Sequence, residues 1–351
     1  MTGSRGRFAA IAGTGSALPE RVVPNSVFES LVDTSDEWIV ERTGIRERRF
    51  ASEGETTSSL ATAAGRSALQ AAGMAPEQLD LIIVATITPD RPLPSVAVMV
   101  QDALGVTCPA FDINAACAGF SYGTTLARAL IESGGAETVL LVGAETLSRR
   151  MNMADRSTCV LFGDGAGGAV FVPASEPGVV DANVAADGRA AGLLTIPGGG
   201  TAPPITEDGE PAIDKIVMGS GKDVYRRAVV GMTDACRSLL DKSGVAADDV
   251  RWLIPHQANA RIMKTVADRL GFGPDRVISD VDRIGNTSAA SIPIALDEAW
   301  RDGRIQPGDL VLMTSFGAGL AWGASLVRWT AGAPAPRPRT AAVTRTLETA
   351  P

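Results

Sequence analysis

One passage of this chain is written twice. Arg66-Ser-Ala-Leu-Gln-Ala-Ala-Gly73, followed by Pro76-Glu-Gln-Leu-Asp-Leu-Ile-Ile83, returns as Arg237-Ser-Leu-Leu-Asp-Lys-Ser-Gly244 and Ala247-Asp-Asp-Val-Arg-Trp-Leu-Ile254, 171 positions later. Asn114 maps onto Asn286, and Val139 in Glu137-Thr-Val-Leu-Leu maps onto Val311 in Asp309-Leu-Val-Leu-Met, both at an offset of 172. Matches in one order at nearly one offset mark a duplicated unit. A chain of 351 residues also exceeds one comfortable hydrophobic core. The expected organisation is therefore an N-terminal half over 1–175, a C-terminal half over 176–330, and a tail over 331–351. In that tail Pro, Ala, Thr and Arg displace apolar periodicity, which predicts disorder.

Within each half, short apolar runs alternate with Ala-rich stretches. Leu81–Thr86, Val139–Gly143, Arg251–Pro255 and Leu310–Thr314 read as buried strands, whereas Ser59–Ala72, Tyr122–Glu132, Tyr225–Lys242 and Asn259–Leu270 read as helices. Such alternation predicts an α/β layered architecture.

Bulk properties narrow the function. A net charge of −8 and a pI near 4.9 argue against nucleic-acid binding, and an acidic partner would need a local basic patch. Four scattered cysteines form no CxxC pair, which predicts a reducing, cytoplasmic setting. The N-terminus has no signal-peptide apolar region, and no uninterrupted apolar stretch is long enough to span a membrane.

The chain has a single histidine, His256, in Pro255-His-Gln-Ala-Asn259. It ends one predicted strand and precedes one predicted helix. Cys117, in Ala115-Ala-Cys-Ala-Gly-Phe120, occupies the same kind of position, where a helix N-terminus favours thiolate and small neighbours leave room for an acyl group. Asn286, in Gly285-Asn-Thr-Ser288, stands at the matching strand end of the second half and faces the same centre. Cys108, Cys159 and Cys236 read as small core residues. Gly163-Asp-Gly165-Ala-Gly-Gly168 has the GxGxxG form but runs into a strand, so it is not a dinucleotide fingerprint. The Gly317-Ala-Gly319 turn could aim backbone N–H groups at an oxyanion. No metal-ligand pattern is present.

These residues resemble the β-ketoacyl-acyl-carrier-protein synthase III family of the thiolase superfamily, over about residues 8–330. The match rests on Thr34-Ser-Asp-Glu-Trp-Ile-Val-Glu-Arg-Thr-Gly-Ile-Arg46, the Cys117, His256 and Asn286 motifs, Phe162-Gly-Asp-Gly-Ala-Gly167 and Phe316-Gly-Ala-Gly319. The resemblance implies a thiolase-like five-layer α-β-α-β-α fold and a homodimer. It implies a decarboxylating Claisen condensation of an acyl-CoA with malonyl-acyl-carrier protein, without a cofactor. Cys117 would be the nucleophile; His256 and Asn286 would promote decarboxylation; the backbone N–H groups of Cys117 and Ala318 would form the oxyanion hole. For coenzyme A it implies Thr34, Trp38, Arg42, Arg156, Asn259 and Arg261, with Trp38 on one adenine face and Arg42 on the other. Leu93 would line the partner's acyl pocket. Arg226, Arg261 and Arg269 would dock the acidic carrier protein, although Asp268 stands at one usually basic position. A relative that transfers acyl groups without decarboxylation could keep Cys and His, and a starter-unit ketosynthase of a specialised polyketide pathway is a further alternative. A papain-like protease shares the Cys, His, Asn order but not the Ala-Ala-Cys-Ala-Gly surroundings.

Overall fold

A computed structural model describes residues 7–201 and 213–332; most of the expected tail lies outside them. The principal strands are β1 (Phe8–Ala17), β2 (Leu81–Ala85), β3 (Ala110–Ile113), β4 (Val139–Thr146), β5 (Asp164–Ala174), β6 (Val179–Ala186), β7 (Trp252–Pro255), β8 (Leu310–Gly317) and β9 (Ala321–Arg328). The principal helices are α1 (Asp36–Thr43), α2 (Thr57–Ala72), α3 (Gly119–Ser133), α4 (Gly221–Ser243), α5 (Ala260–Leu270) and α6 (Ser291–Arg301).

Two sheets share one topology. The first runs β1-β5-β4-β2-β3 and the second β6-β9-β8-β7. In each, the first two pairings are antiparallel and the next is parallel. The second-half counterpart of β3 shrinks to an isolated bridge between Leu253 and Val277.

Apolar runs without polar interruption form these strands because both faces are covered. Leu81 and Ile83 of β2, Val139 and Leu141 of β4, and Val311 and Met313 of β8 enter a shared central core. Their neighbours Ile82, Val84, Leu140 and Val142 enter an outer core under α2, while Leu310 and Leu312 enter another under α4. This period-two partition is what a pleated strand between two layers requires. Central helices α3 and α6 each touch strands of both sheets, α2 covers the outside of the first, and α4 covers the outside of the second. The layer order is thus α-β-α-β-α, as expected of a thiolase-like fold.

Local signals agree with the duplication. Helices α2 and α4 begin on hydroxyl N-caps, Thr56 and Ser220, and end on Gly73 and Gly244, both with φ of 65°. Glycine meets the left-handed C-cap at no steric cost. Before each central helix stands a non-glycine residue in the left-handed region: Ala116 with φ of 45° and Ser288 with φ of 50°, 172 positions apart. Each half therefore turns from strand to central helix through the same strained corner. Among the described residues no helix is long and apolar enough to cross a membrane, and no group of three metal-ligating side chains occurs.

Candidate active site

Cys117 sits in the single 3₁₀ turn Ala116–Ala118 that feeds α3, His256 directly follows β7, and Asn286 follows Gly285 in the loop that leads to α6. The duplicated topology brings all three to the wall of one cavity of about 240 Å³. Each is buried, at 8 %, 2 % and 6 % exposure.

Backbone contacts hold the trio from several directions. Gly317 presses so closely on Cys117 that a Cβ there would lie 2.6 Å from the Cys117 nitrogen. The His256 N–H donates to the Thr314 carbonyl at 2.7 Å. Asn286 is laced to the Leu161–Gly163 segment, donating its N–H to Leu161 O and accepting from Gly163 N, both at 2.9 Å. Its side-chain Oδ1 accepts from the Ser288 N–H at 2.9 Å, so the amide NH₂ is the end left to donate.

Burial sets the charge states. It pushes the His256 imidazole down to about 3, so the ring is neutral at physiological pH. Its Nδ1 lies 2.6 Å from Ser291 Oγ, which leaves Nε2 for a ligand. Burial pushes the Cys117 thiol up to about 12, and the nearby Glu145 carboxylate adds to the effect; the Ser288 hydroxyl and the cysteine's own backbone N–H work in the opposite direction. The expectation that the helix N-terminus holds a resting thiolate is therefore corrected. Losing water costs the anion more than the dipole of one helix end returns.

Glu145 escaped the sequence analysis. It is fully buried at the end of β4, accepts hydrogen bonds from Thr86, Thr88 and the Ile87 N–H, and is raised to about 7 by burial. A lone carboxylate ending the apolar run Val139-Leu-Leu-Val-Gly-Ala144 was a legible signal. Ser291 also escaped; its signal lay in the repeat, where it replaces Gly119 at the start of the central helix.

Of the residues expected to bind coenzyme A, Trp38, Arg42, Arg156 and Asn259 line the cavity. Trp38 enters through α1, whose N-cap Ser35 accepts from the Trp38 N–H. The Arg156 guanidinium lies over the Trp38 ring at 4.7 Å, against 5.8 Å for Arg42. Arg156 is thus the closer of the two arginines to that ring. Asn259 does not continue the helix; it caps α5, accepting from the Arg261 N–H while its amide donates to the Arg42 carbonyl. Thr34 and Arg261 are not brought to the cavity wall. Thr34 precedes the cap of α1, and Arg261 is exposed on the first turn of α5.

A second cavity, of about 1050 Å³, is also lined by Cys117, together with Ala318 and Pro92. Leu93, beside it, is 83 % exposed and points off the molecule. Arg226, Arg261 and Arg269 are all exposed on the adjoining helices α4 and α5. Asp268 among them is bound by Lys264 at 2.6 Å, so it does not stand as a bare negative charge.

Known proteins resemble this chain along most of its length. The profile described as 3-oxoacyl-[acyl-carrier-protein] synthase III covers residues 111–188, and that of the synthase III C-terminal region covers 240–329. A β-ketoacyl-[acyl-carrier-protein] synthase III of Erythrobacter litoralis is 50 % identical over 92 % of this chain and 99 % of its own length. The crystal structure of 3-oxoacyl-[acyl-carrier-protein] synthase III from Aquifex aeolicus superposes with a TM-score of 0.84 at 45 % identity, over 92 % of this chain and 100 % of that one. A priming β-ketosynthase of a polyketide biosynthetic pathway superposes with a TM-score of 0.86 at 37 % identity, over 93 % and 97 %. Similarity of that depth along nearly the whole of both chains places this protein in the β-ketoacyl-[acyl-carrier-protein] synthase III family.

Proposed function

We propose that the chain condenses an acyl group, delivered as an acyl-CoA, with malonyl-acyl-carrier protein. The observation that carries the reading is the convergence of sulfur, neutral imidazole and carboxamide on one narrow cavity. Cys117 sulfur attacks the acyl thioester carbonyl, coenzyme A leaves, and its thiolate takes up the proton lost by the thiol; one difficult transfer becomes two easier ones. Malonyl thioester then enters and loses CO₂. His256 Nε2–H and the Asn286 amide donate to the enolate oxygen that develops, and the enolate carbon attacks the acyl-Cys117 carbonyl. The Cys117 and Ala318 N–H groups receive the oxyanion of that step; its collapse breaks the C–S bond, releases 3-oxoacyl-carrier protein and expels the Cys117 thiolate, which takes a proton from water to restore the thiol. Loss of CO₂ supplies the carbanion, so neither a strong base nor a metal or prosthetic group is required.

Trp38, paired with Arg156, forms the adenine platform, with Arg42 and Asn259 beside it and Arg261 and Thr34 further out at the mouth. The exposed Arg226, Arg261 and Arg269 attract the acidic carrier protein. The enzyme works as a homodimer in the cytoplasm. Strand β3 ends its sheet with an unpaired edge carrying the part-exposed Phe111, and Leu93 stands out beside it; a second copy would cover both and set Leu93 in its partner's acyl cavity.

Intact mass of the acylated protein and ¹⁴CO₂ release from labelled malonyl-carrier protein test the assignment. Cys117→Ala should abolish acylation. Asn286→Ala should still acylate but lose condensation by about 10²- to 10³-fold, the usual cost of one oxyanion donor. Condensation at the parental rate in the Asn286 variant would remove that side chain from the chemistry. A panel of acyl-CoA starters separates a fatty-acid initiator from a polyketide priming enzyme.

A further inference from the structure

The repeat pairs two contacts that differ only in chemistry. In the first half, Ala85 ends β2 and Gly119 opens α3; a Cβ on Gly119 would lie 2.8 Å from the Ala85 Cβ. In the second half the same strand end and helix start carry His256 and Ser291, at offsets of 171 and 172. There the close approach becomes a hydrogen bond, His256 Nδ1 to Ser291 Oγ at 2.6 Å, between side chains that are each 2 % exposed.

The direction of that bond follows from what else the hydroxyl touches. Ser291 Oγ already accepts from the Gln257 N–H at 3.3 Å. A buried O–H hydrogen needs an acceptor, and among the described residues the only side-chain or backbone acceptor bonded to Ser291 Oγ is Nδ1. If the ring donated instead, the hydroxyl hydrogen would be orphaned in the core. A proton relay through the serine has no exit either, because no further acceptor follows it.

We propose that Ser291 is a positioning residue for His256: its hydroxyl donates to Nδ1 and holds the ring as the tautomer with hydrogen on Nε2, facing the cavity. Its place in the reaction rests on the function proposed above, but the tautomer itself does not. The neutral ring has one hydrogen to place. With Nδ1 occupied as an acceptor, that hydrogen must point at the ligand. Backbone bonds on both sides, from the His256 N–H to Thr314 O and from the Ala258 N–H to His256 O, fix the ring's origin but not its tautomer. The serine supplies that choice.

His256 is the only histidine of the chain, so ¹⁵N-histidine labelling gives the spectrum of one ring. The full-length parent should show a protonated Nε2 and an unprotonated, hydrogen-bonded Nδ1 throughout the neutral range. In Ser291→Ala the Nδ1 resonance should move to that of a free lone pair, or Nδ1 should gain the proton; Ser291→Thr should return it toward the parent. A parent spectrum with hydrogen on Nδ1, or a Ser291→Ala spectrum with Nδ1 unmoved, overturns the proposal. In assay, Ser291→Ala should leave the rate of Cys117 acylation unchanged and lower condensation about tenfold, the worth of one lost hydrogen bond. Equal loss in both half-reactions assigns Ser291 a merely structural role and also overturns it. If the parent shows the expected tautomer yet neither acylates nor condenses, the proposed function fails while the tautomer assignment stands.

Discussion

A lone histidine invites a reading as a titrating base, and burial removes that option. His256 ordinarily titrates near 6.5 but is held to about 3 in the fold, so it enters the neutral range as a fixed donor. The sign of the linked stability follows. As pH falls below 6.5, an unfolded imidazole takes up a proton that the folded one refuses, so the folded state loses stability from 6.5 toward 3 and none above. Replacing the ring by His256→Gln should therefore shift the stability difference between variant and parent by about 2 kcal/mol in the variant's favour on going from pH 7.5 to pH 5. Urea unfolding at the two pH values reads this directly; a pH-independent difference would mean the ring titrates normally. Trp38 poses a different question at the same scale, because Arg156 already occupies one side of its ring. Trp38→Ala should raise KM for acyl-CoA about tenfold with a smaller change in kcat. An unchanged KM takes Trp38 out of the nucleotide site.

Elements position these residues through close approach. Strand β8 passes Cys117 at Gly317, where even a methyl group would meet the backbone at 2.6 Å. Gly317→Ala should cost about 1–3 kcal/mol in urea unfolding. It should also slow Cys117 acylation by about 10- to 100-fold, because the nucleophile's N–H is displaced. Full acylation in a destabilised variant would show that the approach serves packing alone. The corners at Ala116 and Ser288 act likewise, storing left-handed backbone strain where each half turns into its central helix. Little of this was legible beforehand. Strand and helix positions were, since β2, β4, β7 and β8 and the helices α2 to α5 fall on the apolar and Ala-rich runs that marked them. The ends were less so: Asn259 caps a helix instead of continuing it, because its side chain serves the Arg261 N–H better than a helical turn would.

At the scale of the molecule, the unpaired edge of β3 and the exposed Phe111 and Leu93 leave one side of the first sheet open. If a second copy covers that side, as proposed, Phe111→Arg should leave a monomer in sedimentation velocity where the parent is a dimer, since a buried unpaired guanidinium costs several kcal/mol. A variant that sediments as the parent does would move the interface elsewhere. The α/β class and the chemical identities of Cys117, His256 and Asn286 were already present in the order of residues, because period, repeat offset and motif are local properties of a chain. Which of those groups carry charge was not. That Cys117 rests as a thiol, that His256 is neutral and bonded to Ser291, that Arg156 covers Trp38 and that Arg261 stays outside all follow from burial and from distances between residues far apart in sequence. Solvation and hydrogen bonding depend on what surrounds a group in space, and only packing of the two halves against each other creates those surroundings.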